Sequence, residues 1–90
     1  MSMKDSLIFE KLKNGDESVL VKTYKNYRIE FVAWLTKNYD CKSDEALEIY
    51  QNSFLAILEN MQNNMLTDFT CSFKTYLFSI GKNKYSEYRA

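Results

Sequence analysis

The sequence predicts an all-α protein, a compact bundle of about four helices. Three observations predict it. The 90 residues contain no proline and only two glycines, so little interrupts helix propagation. Apolar residues make up 46% of the chain, and they recur at steps of three and four, the period of a helix with one buried face. The breaks between these stretches are short, which makes consecutive helices antiparallel neighbours. A chain of this length forms one domain with a thin core, burying about 60–65% of the surface it exposes when unfolded.

The first helix is expected over residues 5–13. Asn14-Gly15 ends it, because glycine enters the left-handed cap conformation without steric cost. Asp16 caps a second helix that runs to about Asn38. Leu20, Tyr24, Tyr27, Phe31, Trp34 and Leu35 share its inner face. Asp40-Cys41-Lys42 is a turn. Ser43 is the expected N-cap of the third helix, with Asp44 and Glu45 in its first turn, where the dipole favours acids. That helix reaches about Gln62. A polar segment follows over residues 63–71, and Ser72 caps the fourth helix.

Composition narrows the function. The chain has no histidine, and Cys41 and Cys71 do not make a metal-ligand pattern, so no metal or other cofactor is expected. Without a glycine-rich phosphate loop or a histidine base, catalysis is not expected either. No apolar run approaches ~18 residues and the start lacks the apolar stretch of a signal peptide. The expectation is a cytoplasmic protein with reduced cysteines and no membrane contact. Net charge is zero, but it is unevenly spread. Residues 40–68 hold six acids and one lysine, and residues 73–90 hold four bases and one acid. Two surfaces of opposite sign fit two different partners, or simply two solvated faces.

Both long terminal helices have a polar face with apolar residues in it. At about 100° per residue, Ala46, Ile49, Tyr50, Ser53, Ile57 and Met61 make the core face of the third. Opposite them lie Asp44, Glu48, Gln51, Asn52 and Glu59 with Leu55 among them, and Leu47 and Leu58 at the border. Leucines beside an acidic stripe fit a protein-docking patch for a basic partner. In the fourth helix Phe73, Tyr76, Leu77 and Ile80 point inward. Lys74, Phe78, Lys82, Tyr85 and Arg89 fall in one outer arc. Cations there would neutralise phosphates and rings would stack on unpaired bases. The alternative is that Phe78 and Tyr85 pack beneath a neighbouring segment. The segment over residues 63–71, with Met65, Leu66 and Phe69, would either cradle something flat or fold back on the bundle.

The stretches "LKNGDESVLVKTYKNY", "ALEIYQNSFLAILEN" and "SFKTYLFSIGKNKYSEYR" follow one another at set gaps. In that order they resemble conserved region 2 of bacterial RNA polymerase sigma factors, in particular the extracytoplasmic-function group. The residues that carry the resemblance are Gly15-Asp16, then Ala46, Gln51, Phe54 and Leu55, then Phe73, Leu77, Ile80, Asn83 and Arg89. It covers about Leu12 to Arg89. Departures are Glu48 for the usual aspartate, Asn52 for a common acid, Tyr76 for tryptophan and Gly81-Lys82 for Ala-Arg. Glycine there costs the helix up to ~1 kcal/mol and marks a close backbone approach.

The resemblance implies a transcription initiation factor domain. Its third helix would dock on the clamp coiled coil of the polymerase largest subunit through Leu47, Glu48, Gln51, Asn52, Leu55 and Leu58. Its fourth helix would bind the non-template strand of the promoter −10 element through Lys74, Tyr76, Lys82, Asn83, Tyr85 and Arg89. The segment over residues 63–71 would capture a flipped base. An anti-sigma factor would cover one or both faces. The family's second helical domain, which reads the −35 element, is not in this sequence, so the chain is expected to be either a fragment cut at a domain boundary or a truncated protein, with the fragment favoured by its stop amid a polar helix. Two alternatives are a helix-turn-helix-like duplex DNA binder and a helical protein-interaction module without nucleic acid.

Overall fold

The computed structural model describes residues 3–62 and 72–89. They form four helices, α1 (Met3–Lys13), α2 (Glu17–Asn38), α3 (Ser43–Gln62) and α4 (Phe73–Arg89). α3 lies against both α2 and α4, and α1 packs across all three. No helix among the described residues is long and apolar enough to cross a membrane.

The boundaries follow from cap chemistry. Gly15 takes φ +79. Its N–H donates to Leu12 O (3.1 Å), and the Asp16 N–H donates to Lys11 O (3.0 Å). That pair of bonds is a Schellman closure of α1. Asp16 then opens α2, its Oδ1 accepting from the Val19 N–H (3.2 Å) and the Ser18 hydroxyl (2.7 Å). These two donors favour the carboxylate and hold its pKa below the ordinary value. α2 ends where Tyr39 turns extended, with its N–H still donating to Leu35 O.

At α3 the cap sits one residue earlier than Ser43. The carbonyl of Lys42 accepts the first helical bond, from the Ala46 N–H (2.8 Å). Glu45 Oε1 reaches back to the Lys42 N–H (3.1 Å). Ser43 is therefore the first helical residue, and the glutamate half of a capping box replaces a hydroxyl cap. Ser72 caps α4 as expected, its Oγ accepting from the Thr75 N–H (3.2 Å).

The core is built on rings. Successive contacts run Phe9, Phe73, Phe54, Tyr24, Tyr50, Phe31, Phe78 and Trp34, with centroids 4.6 to 6.1 Å apart. The predicted α3 core face is fully buried, and Phe54 and α2's Thr23 join the interior. Tyr50 is sealed in, and its hydroxyl donates to Tyr24 O (2.6 Å). Burial pushes its phenol far above the ordinary value. Among the described residues no buried side-chain polar atom lacks a partner.

Candidate protein-docking and nucleic-acid interfaces

On α3 the outer face remains outside. Glu48, Gln51 and Asn52 are exposed, and Leu55 is 57% exposed. Leu47 and Leu58 are half-buried at the two borders, resting on the core edge. Leu55 is a ridge between two shallow grooves. One, of about 340 Å³, is lined on the α2 side by Leu20 and Tyr24 and includes Gln51 and Leu58. The other, of about 380 Å³, lies toward α4 and includes Asn52, Glu59, Lys84 and Glu87. Asp44, Glu48 and Glu59 make no ion pair among the described residues. Glu45 is engaged, since its Oε2 accepts from the Tyr88 hydroxyl (3.1 Å). That bond raises the Tyr88 phenol above its ordinary value.

Farther along the same side, Ile29 of α2 is 75% exposed and borders a groove of about 440 Å³ with Val32, Ala33 and Leu47. The sequence did not single out Ile29. Its only signal is that it falls off the Tyr27–Phe31 face of α2.

The outer arc of α4 is divided. Lys82 and Asn83 are exposed. Lys74 is exposed, pairs with Glu30 of α2, and places its Nζ 5.7 Å from the centre of the Phe78 ring. The rings behave differently from the cations. Phe78 wedges against Phe31 (5.4 Å) and Trp34 (4.6 Å). Tyr85 lies on Tyr39 (4.8 Å) and donates its hydroxyl to Asp40 O (3.3 Å). Of the two outcomes the sequence left open for these rings, both take the second, half-buried against α2 and the turn after it. An aromatic side chain gains about 1.5–3 kcal/mol by full burial, and a neighbouring helix edge within reach collects part of that.

Arg89 Nη2 approaches Asp40 Oδ2 at 3.9 Å. Tyr76 is on the inner side, its ring 6.4 Å from Phe9 and its hydroxyl accepting from Asn60 Nδ2 (3.0 Å). It does not share a face with Lys82. Of the six nucleic-acid candidates, Lys74, Lys82 and Asn83 are on open surface, where Lys74 and Lys82 line one groove and Asn83 points about half a turn away from Lys74. Tyr85 and Arg89 are engaged by the α2–α3 turn. The proposed base-capturing segment over residues 63–71 lies outside the described residues.

Gly81 explains how α4 comes so near α2. It is buried, and a Cβ there would lie 2.5 Å from Phe31 Cε2 and 3.7 Å from Trp34 Cζ3. The close approach expected at this glycine is present, and it sets Trp34 beside Phe78.

Cys41 is a free, half-buried thiol in the α2–α3 turn. Burial and then the Glu45 charge push its thiol pKa above the ordinary value, which favours the protonated form. No group of three or more potential metal ligands occurs among the described residues. No protein-family model, curated protein sequence or solved structure matches this chain.

Proposed function

We propose that this is a non-enzymatic transcription initiation domain of the sigma region 2 type. It ties RNA polymerase to a promoter and holds the −10 non-template strand open. The observation that carries the reading is Leu55, a largely exposed leucine flanked by Glu48, Gln51 and Asn52 on helix α3, whose opposite face is fully buried. An apolar anchor in an acidic and amide rim fits a basic coiled coil that contributes its own apolar seam. Leu47 and Leu58 extend the anchor along the helix.

Lys74, Lys82 and Asn83 support the nucleic-acid half of the reading. Their number is small and the chain's net charge is zero, so isolated binding to DNA is weak and tight binding requires the polymerase. Energy for strand opening comes from docking and from capturing unpaired bases, each stacked base contributing ~1–3 kcal/mol.

Capture of the domain on an immobilised polymerase clamp coiled coil tests this. Wild type is retained, Gln51→Ala is retained less, and Leu55→Arg is lost. Failure of wild type to bind removes the assignment. An interaction module without nucleic acid is the second reading, favoured by the engaged rings of Tyr85 and Phe78. It requires that Lys82→Glu with Lys84→Glu leave activity intact in promoter-dependent transcription.

A further inference from the structure

The groove between α2 and α4 has a volume of about 470 Å³ and is lined by Trp34, Lys74, Thr75, Phe78, Ser79 and Lys82. Its walls are the Trp34 and Phe78 rings, tilted 44° to one another. Two cations flank the rings, eight residues or ~12 Å apart along α4; no acid is among the lining residues, although Lys74 also pairs with the exposed Glu30 of α2, from which a phosphate would have to draw it. Lys82 makes no ion pair among the described residues. The indole N–H of Trp34 has no acceptor there either, and it is not among buried unpaired atoms. It is therefore a donor open to water. Thr75 and Ser79 add hydroxyls between the lysines.

We infer that this groove seats a base of a single-stranded nucleic acid, with Trp34 of α2 as a stacking ring and Lys74 and Lys82 holding the flanking phosphates. An aromatic wall between two cations matches a strand whose bases are unpaired, because a ring stacks on any base face while lysines track the backbone. Duplex DNA keeps its base faces inside and offers only phosphates. This places a contact on α2, outside the helix assigned to the strand. It rests on the nucleic-acid half of the proposed function and is independent of docking to the polymerase.

Trp34 is the chain's only tryptophan, so fluorescence excited selectively at the tryptophan band, clear of the seven tyrosines, reports on this groove. The full chain is titrated at low salt with a ten-residue oligothymidylate, with a duplex of equal length, and with inorganic polyphosphate. Saturable quenching is expected with the single strand, at an affinity about tenfold above that for duplex, and little quenching with polyphosphate. Lys74→Gln with Lys82→Gln, both at exposed positions, weakens the single-strand response several-fold while circular dichroism stays unchanged. Trp34→Phe retains binding of a labelled strand by anisotropy, and Trp34→Leu loses most of it at unchanged helicity. Absent quenching, equal response to duplex or polyphosphate, or an unaffected lysine variant would overturn the inference. Coiled-coil capture is read in parallel. Lost capture with intact quenching removes the polymerase assignment and leaves the seat, and the reverse removes the seat alone.

Discussion

The outer faces of α3 and α4 look alike in sequence and end differently in structure. Each sets large apolar side chains among charges. On α3 the leucine remains outside, with Leu55 more than half exposed. On α4 the rings turn inward, with Phe78 on Trp34 and Tyr85 on Tyr39. The difference is one of neighbours. α3 fills the middle of the bundle, and among the described residues no helix covers its outer face. α4 has the C-terminal half of α2 alongside, drawn close by Gly81. An apolar side chain on a charged face takes an intramolecular partner when one is within reach, and otherwise stays exposed, as Leu55 does, where the proposed function would use it as an anchor.

The strongest way to break the α4 side is at Phe31, which is wholly buried and touches Trp34, Tyr50 and Phe78. Phe31→Ala should cost about 3–5 kcal/mol in urea unfolding. A cost under ~1 kcal/mol would mean that α4 is not held through this ring.

Gly81→Ala sharpens the same point through its sign. At an open helix position the change would stabilise by up to ~1 kcal/mol. Here the added methyl meets a ring locked on three sides, so a loss of about 1–3 kcal/mol is expected. Coupling with Phe31→Leu in a double-mutant cycle should recover part of the loss. A gain in stability would contradict the close approach.

On the α3 side, Leu55→Arg should leave stability within ~0.5 kcal/mol of wild type, since the side chain buries little. Under the proposed function its effect falls on docking instead. A large loss of stability would mean that Leu55 is structural.

Asp16 gives the smallest effect and the clearest pH signature. Its folded pKa is depressed by the Ser18 hydroxyl and the Val19 N–H. Its contribution is therefore full above the ordinary carboxylate pKa and disappears as pH falls through the lower folded value. Asp16→Ala should be less stable than wild type at neutral pH, and the two melting curves should converge in strong acid. A difference that persists there would assign the effect to something other than the charged cap.

Much of the fold was legible in the sequence. Gly15 and Asp16 marked one boundary because left-handed backbone and side-chain capping are local properties of single residues. The six core positions of α3 followed from period alone because that helix is buried along one full side. The α4 rings and Trp34 were not settled in the same way. Periodicity fixes where a side chain points around its own axis, but not how near the next helix comes. Phe78 and Tyr85 had two outcomes, and only the α2 placement chose between them. Trp34 read as interior because it sits one step from Leu35, yet it forms a groove wall. Tyr76 read as inward from its period and as a strand contact only from the resemblance, and its ring on Phe9 and its bond from Asn60 keep it on the inner side. The shift from Ser43 to Lys42 at the α3 cap turned on Glu45, whose backward reach cannot be distinguished in sequence from a solvated first-turn acid.

The central claim is that docking and strand binding use separate faces, and opposite charge reversals test it most directly. Affinity for the polymerase clamp coiled coil is measured by titration calorimetry for wild type, Glu48→Lys and Lys82→Glu. The account predicts that Glu48→Lys weakens binding at least several-fold while Lys82→Glu leaves it unchanged. Equal losses in both, or a loss in Lys82→Glu alone, would contradict it.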